Sequence, residues 1–285
     1  MDRLLILGGR GLLGNYFCTQ QKPSRLIFYT HGSNLWNGKQ FVPIDINDYE
    51  SLLQSINKLE TNYIINCIGY TNIELCEKHK DIASTLNSVL PENLAKISAK
   101  LNVNYIQIST DQLFNGRSPY KSEVDQVTPL NYYAASKRNG EIRALSKNQN
   151  SLILRTNFYG KSTSNKKSFS DIIIESILTK KVIRLFTDVY FTPISMKQSL
   201  KYIYLLTNNK AHGIYNLSSD KRLSKLDFGY MICDHYKLDK RFILSGSLAK
   251  RNDLVIRPLD MSLSNRKLKN KLNLKTLTLD LDGLI

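Results

Sequence analysis

The sequence predicts an α/β fold, a doubly wound parallel sheet followed by a smaller C-terminal lobe. Three observations predict it. Continuous apolar runs of strand length alternate with helix-length segments over the first ~160 residues, as in a parallel sheet covered on both faces. The first run passes straight into a glycine cluster, "ILGGRGLLG" from Ile6 to Gly14, which opens a helix. Past residue 160 the regular alternation lapses and helices and loops dominate.

Taken in order, "RLLILG" (Arg3 to Gly8) reads as a buried strand and Leu12 to Gln20 as its helix. "RLIFYT" (Arg25 to Thr30) and "FVPID" (Phe41 to Asp45) are the second and third strands. Asp48 to Leu59 places Leu52, Leu53, Ile56 and Leu59 at helical spacing. "YIINCI" (Tyr63 to Ile68) is the fourth strand, and Ile82 to Leu101 a long helix that Pro91 interrupts near its start. "NYIQIST" (Asn104 to Thr110) is a strand, Asn131 to Ser146 a helix, and "SLILRT" (Ser151 to Thr156) a strand. In the second part, "VIRLF" (Val182 to Phe186) and "GIYNLSS" (Gly213 to Ser219) read as strands. Ser224 to Tyr236 is an amphipathic helix with Ser224 as its N-cap.

Gly8, Gly11 and Gly14 form GxxGxxG, with Gly9 extra. Between a strand and a helix this spacing lets the backbone turn tightly and approach a pyrophosphate at the helix N-terminus. The expectation is therefore a Rossmann-type NAD(P)-binding domain over residues 1–160. Residues 161–285 form mainly a substrate-binding lobe, with some segments returning to the first domain. NAD-specific folds place an acid at the end of the second strand to hold the ribose 2′-hydroxyl. Here that strand ends "YTHGS" (Tyr29 to Ser33), without an acid, and Arg10 lies in the glycine loop, where a guanidinium suits a 2′-phosphate. NADPH is the expected cofactor, with NADH left open. Asp45 suits either a contact to the adenine amino group or the N-cap of the following helix.

Downstream, "ISTDQLFNG" (Ile108 to Gly116) ends a buried strand, and Tyr133 and Lys137 follow four residues apart. On a helix that spacing stacks them one turn apart on one face. A cation beside a phenol favours phenolate and brings the phenol closer to the operating pH, which suits it to acid–base work. Tyr132, five residues from Lys137, lies on another face and is assigned to packing.

Composition excludes several classes. No apolar run reaches the ~18–20 residues of a spanning helix, and the N-terminal apolar run is too short for a secretory signal. A soluble cytoplasmic protein without membrane partners is expected. Cys18, Cys67, Cys76 and Cys233 show no CxxC spacing and no histidine cluster, which points to reduced thiols and not to zinc. The 285 residues carry a net charge of +16, but the basic residues are scattered. The denser stretches, Lys237 to Arg251 and Arg266 to Lys271, lack an RNA-binding aromatic pattern. A basic surface that draws in an anionic small substrate is expected, and no nucleic acid.

The arrangement resembles the extended short-chain dehydrogenase/reductase superfamily and, more closely, its dTDP-4-dehydrorhamnose reductase family. The matching stretches run in family order over nearly the whole chain. They are Ile6 to Gly14, "VPIDIND", "IINCIGYTNIELCE", "LNSVLPENLA", "ISTDQLFNG", "SPYKSEVDQVTPLNYYAASKRNGE", "LILRTNFYG", "TDVYFTPIS" and "RPLDMSLSNRKLK". The resemblance implies hydride transfer from NAD(P)H to the C4 ketone of a nucleotide-linked 4-keto-6-deoxy sugar, in deoxysugar and surface-polysaccharide biosynthesis. It implies that Tyr133 protonates the forming alkoxide, that Lys137 holds the nicotinamide ribose, and that Thr110 donates to the ketone oxygen. Gly8, Arg10, Gly11, Leu12, Leu13, Asp45, Ile46, Cys67, Ile68 and Gly69 would meet the cofactor. Tyr70, Thr110, Asp111, Gln112, Asn157, Phe158 and Phe191 would meet the substrate, with Thr156 flanking. The C-terminal lobe would hold the nucleotide diphosphate, with Arg184, Arg251 and Arg257 as candidates, and assembly as a homodimer stays open.

The chain departs from the family pattern in three places. Gln112 stands where the family has Tyr after "STD", Phe158 where it has Trp, and Phe191 where it has Gly. These changes alter pocket walls and spare the chemical residues. Some members bind magnesium through a Glu just after the glycine motif. Here that region reads Asn15 to Phe17, and no metal is expected. One family branch is a binding subunit, as in methionine adenosyltransferase, and a related nucleotide-sugar epimerase/reductase is a further alternative. The intact Thr110, Tyr133 and Lys137 set favours the enzyme.

Overall fold

A computed structural model describes residues 3–20, 26–29 and 41–285. The elements begin β1 Leu4–Leu7, α1 Leu12–Thr19, β2 Leu26–Tyr29, β3 Phe41–Val42, α2 Tyr49–Lys58, β4 Tyr63–Asn66, α3 Ile73–Lys78 and α4 Lys80–Ser84. A π-helical turn, Thr85–Val89, leads to α5 Leu90–Leu101, β5 Asn104–Ile108, α6 Tyr132–Lys147 and β6 Leu152–Thr156. Then come β7 Phe158–Tyr159, α7 Phe169–Leu178, β8 Ile183–Phe186, β9 Tyr190–Phe191, β10 Ile194–Ser195 and α8 Met196–Asn208. The chain ends with β11 Gly213–Leu217, β12 Leu223–Ser224, α9 Lys225–Tyr236, β13 Ile243–Gly246 and α10 Arg266–Leu272.

Seven strands form one sheet in the order β11-β6-β5-β4-β1-β2-β3. The pairs β1–β2, β1–β4, β2–β3, β4–β5 and β5–β6 are parallel. This is the α/β, Rossmann-type architecture expected from the alternation. Every residue of β1 and β6 is buried, which accounts for their unbroken apolar runs. Chain order reverses between β1 and β4. At such a switch point the carboxyl ends of the strands open a crevice. Gly8 and Cys67 follow those two ends.

The chain divides into two compact units. The first comprises Met1–Ser109, Tyr132–Leu154 and Lys210–Ile214. The second comprises Thr110–Asn131, Arg155–Asn209 and Tyr215–Ile285. The first unit's core joins Leu5, Leu7, Ile64 and Ile153 of the sheet to Leu52, Ile56, Leu94 and Ile97 of α2 and α5. The second unit's core gathers Ile173, Ile177, Phe228 and Ile232 of α7 and α9 with Leu185, Phe191 and Ile243 of its short strands.

Some boundaries differ from those read on sequence. Residues 1–160 were expected to lie in one domain, yet Thr110–Asn131 groups with the second unit. This segment adds no strand to the sheet, and its hydrogen bonds run elsewhere. Tyr120 N donates to Ser262 Oγ at 2.8 Å and Asn131 Nδ2 to the Ile256 carbonyl at 3.0 Å. Pro91 does not break the helix. It sits at the start of α5, directly after the π-helical turn Thr85–Val89, and the chain stays helical through it. Three helices of the second unit begin at capping boxes, Ser168 with Asp171, Ser195 with Gln198, and Ser224 with Asp227. No helix among the described residues is long and apolar enough to cross a membrane.

Candidate active site

The glycine loop turns as the spacing demands. Gly8 has φ +87°, a left-handed conformation that a side chain would strain. A Cβ there would stand 3.0 Å from the Cys67 carbonyl carbon and the Ile68 nitrogen, so the loop packs directly on the end of β4. Gly11 N donates to the Gly8 carbonyl at 2.9 Å, and Asn15 N to the Gly11 carbonyl at 2.9 Å. A Cβ on Gly14 would lie 2.3 Å from that same Gly8 oxygen. Gly11 is the N-cap of α1 and offers no capping side chain. A helix N-terminus that lacks a side-chain acceptor and lies under a close backbone turn fits a pyrophosphate. Arg10 is exposed in the loop, Leu12 half-buried and Leu13 buried. The end of the second strand, Thr30 to Ser33, lies outside the described residues. Asp45 accepts from Asn47 N at 2.9 Å and is not the cap of α2, since Asp48 takes that place by accepting from Ser51 N at 2.7 Å. Ile46 is a core residue.

Tyr133 and Lys137 lie one turn apart on α6, both buried. Lys137 Nζ donates to the Ile108 carbonyl at 2.7 Å, which ties the ammonium to the end of β5. Burial lowers its pKa to about 8, while the charge of Glu141 opposes the shift. Burial pushes the Cys67 thiol up to about 12, so it stays protonated and unreactive. Glu141 is fixed from two sides, accepting from Ser109 Oγ at 2.7 Å and from Arg138 at 2.9 Å. Tyr132 packs under Lys80, and its backbone nitrogen donates to Glu77 at 2.6 Å.

Asn87 is a positioning residue that periodicity did not reveal. It lies in the π-helical turn, where one extra residue shifts the register and aims its side chain at the site. Its Oδ1 accepts from Tyr70 N at 2.9 Å, and its Nδ2 donates to the Tyr70 carbonyl at 2.9 Å and to Ser136 Oγ at 3.0 Å. Ser136 Oγ in turn donates to the Tyr133 carbonyl at 2.8 Å. The loop after β4, with Cys67, Ile68, Gly69 and Tyr70, is thereby fastened to the helix that carries Tyr133. Gly140 makes the close packing feasible, because a Cβ there would lie 2.1 Å from the Asn87 carbonyl oxygen.

Thr110 belongs to the second unit, as do Asp111, Gln112, Asn157, Phe158 and Phe191, whereas Tyr70 belongs to the first. Its hydroxyl accepts from Gln112 N at 3.3 Å and lies 3.4 Å from Asp111 Oδ1. Asp111 is buried, and Asn157 Nδ2 donates to its Oδ2 at 2.7 Å. Burial raises the Asp111 carboxyl to about 6, against the opposing effects of Asn157 and of the Lys225 charge. Phe158 is half-buried. Phe191 is a correction to the expected pocket wall. It is 1% exposed and packs edge-on against Phe228 at 5.4 Å, because β9 carries it into the unit's core. The ammonium of Lys225, a residue the sequence did not single out, covers its ring at 3.3 Å. Lys225 is the first residue of α9. Of the arginines considered for a diphosphate, Arg251 pairs with Asp253 and Arg184 donates to the Ser245 carbonyl. Arg257 Nε donates to the Val255 carbonyl.

Comparison with known proteins places this geometry. A probable low-salt glycan biosynthesis reductase of Haloferax volcanii, Agl14, is 27% identical over 84% of this chain and 81% of its own. Methionine adenosyltransferase 2 subunit beta of Xenopus laevis is 26% identical over 83% of this chain and 72% of its own. The structure of dTDP-4-dehydrorhamnose reductase from Bacillus anthracis, in complex with NADP, superposes with a TM-score of 0.85. It is 23% identical and covers 99% of this chain and 97% of its own. The model of the RmlD substrate binding domain matches residues 1–281, and the chain belongs to that family.

Proposed function

We propose that this protein is an NADPH-dependent reductase of the C4 ketone of a nucleotide-linked 4-keto-6-deoxy sugar. The observation that carries the reading is the pairing of a buried Tyr133 with a Lys137 whose ammonium is anchored on the Ile108 carbonyl. The uncapped glycine turn at the switch point supports the cofactor, and Arg10 in that turn supports the choice of NADPH. The name of the Haloferax relative, a reductase of glycan biosynthesis, supports the substrate class.

Gly8, Gly11 and the first turn of α1 would hold the pyrophosphate, and Cys67, Ile68 and Gly69 would flank the cofactor. A nicotinamide bound there supplies a hydride. The chain's own residues supply the rest. Thr110 donates to the ketone oxygen, Tyr133 delivers its proton to the forming alkoxide, and the Lys137 charge favours the phenolate that remains.

The test is Tyr133→Phe. It removes one oxygen and keeps the ring, so NADPH affinity should stay within about threefold, while kcat falls by roughly 10²–10⁴-fold, the range of general-acid catalysis. Activity retained in this variant would overturn the assignment. A binding-only role, as in the methionine adenosyltransferase subunit, predicts tight NADPH binding with no turnover of any nucleotide-linked 4-keto sugar by the unaltered protein.

A further inference from the structure

Two carboxamides stand side by side within the apolar sheet. Asn66 ends β4, Gln107 lies in β5, the two are partners in the parallel register, and both are buried. The two-residue period of a strand puts Tyr105 on the same face as Gln107. Gln107 Oε1 accepts from Asn66 Nδ2 at 2.9 Å and from the Tyr105 hydroxyl. Gln107 Nε2 donates to the Ile108 carbonyl at 2.8 Å, the same carbonyl on which Lys137 Nζ rests at 2.7 Å. A carbonyl oxygen has two lone pairs, and these two donors match them. Reversing the Gln107 amide would set nitrogen against nitrogen at Asn66 and oxygen against oxygen at Ile108, so its orientation is fixed.

The Asn66 amide is fixed in the same way, because its Oδ1 accepts from Ile68 N at 3.0 Å. A continuous chain of bonds therefore runs from the Ile68 amide through Asn66 and Gln107 to the Ile108 carbonyl and Lys137. The loop after β4 returns to the same point, since a Cβ on Gly69 would lie 3.9 Å from Lys137 Nζ. Ser109 Oγ donates to Glu141 at 2.7 Å, which docks the end of β5 on α6 one turn beyond Lys137. An aliphatic side chain at Gln107 would fill the sheet interior with no polar group to satisfy. The bond to the Ile108 carbonyl is what only an amide of this length supplies. Resting on the reductase reading above, we infer that Gln107 is a positioning residue for Lys137. It fixes the carbonyl against which the ammonium stands and, through Asn66, ties that carbonyl to the loop that would flank the cofactor.

The experiment is a double-mutant cycle in kcat between Gln107→Met and Lys137→Met, measured in single turnovers with saturating NADPH and a nucleotide-linked 4-keto-6-deoxy sugar. Methionine keeps the length and removes the donor. Gln107→Met alone should lower kcat by about 10- to 100-fold, the effect of displacing a working group by a fraction of an ångström to one ångström. KM for the sugar should stay within about threefold, since the loss falls on the chemical step. In the Lys137→Met background the same substitution should change kcat by less than about twofold, because the group through which Gln107 acts is gone. Equal fractional losses in the two backgrounds would mean a structural role and would overturn the proposal while leaving the reductase reading intact. An undiminished kcat in Gln107→Met, or in Lys137→Met, overturns it equally. Should Gln107→Met not fold, because Asn66 and Tyr105 lose their acceptor, Gln107→Asn takes its place in the cycle with the same criteria. Its amide is one methylene shorter and cannot reach Asn66 and the Ile108 carbonyl together. If the unaltered protein binds NADPH but turns over no nucleotide-linked 4-keto sugar, the reductase reading falls and this proposal with it.

Discussion

Asp111 shows how a single residue trades stability for a role. Its carboxyl titrates near 6 in the folded chain against an ordinary value of 3.8. The folded state therefore binds this proton more tightly than the unfolded state. Stability linked to Asp111 is fully present below pH 4, falls as pH rises from about 4 to 6, and is absent above. Asp111→Asn removes the titration and keeps an oxygen for the Asn157 amide. It should stabilise the protein at pH 7 by roughly 1–3 kcal/mol, an advantage that disappears near pH 4. Urea unfolding of both proteins at pH 4 and pH 7 checks this. A pH-independent difference would mean that the carboxyl is not held near 6. Lys137 carries a similar cost with the opposite charge, since burial has lowered its ammonium to about 8. Groups perturbed in this way mark the places where the sequence accepts a local penalty.

At the scale of elements, the π-helical turn and α6 form one device. Helix propensity alone says that alanine at Gly140 stabilises α6 by about 0.8–1 kcal/mol. Packing says the reverse, because the new Cβ would enter the space of the Asn87 carbonyl at 2.1 Å. Overpacking of this kind typically costs about 1–3 kcal/mol, and packing wins. Gly140→Ala should therefore lower the unfolding free energy. It should also reduce kcat, because Asn87 cannot then keep its bonds to both Tyr70 and Ser136. A more stable variant in chemical denaturation would refute the packing account. Strands and most helices of the first unit were legible as apolar runs and helical spacing. The π turn was not, because a period of 3.6 carries no mark of one inserted residue. Helices α7 and α8 were missed although their capping boxes, Ser168–Asp171 and Ser195–Gln198, stand in the sequence.

For the molecule as a whole, cofactor binding and folding are linked by mass action. NADPH at about a hundred times its Kd adds about 2.7 kcal/mol to the folded state. For a chain of this size that should raise the melting temperature by about 5 °C. NADH at the same concentration should raise it less, and Arg10→Ala should close the difference. Equal shifts with the two cofactors in the unaltered protein would remove the argument for Arg10. The charge of +16 adds long-range attraction for an anionic nucleotide sugar, which acts on encounter rates and not on the fold.

The sequence by itself determined the parallel α/β sheet, the glycine turn and the Tyr133–Lys137 pair. These depend on spacing within short segments, and period and chirality turn spacing into geometry without help from distant residues. Only the tertiary structure decided that Asn87 braces the helix that carries Tyr133, that Phe191 belongs to the core, and that Lys225 stands over it. Phe191 and Lys225 are 34 positions apart in the chain. No local pattern encodes such a meeting, because it is set by how β9, α7 and α9 pack around one aromatic cluster.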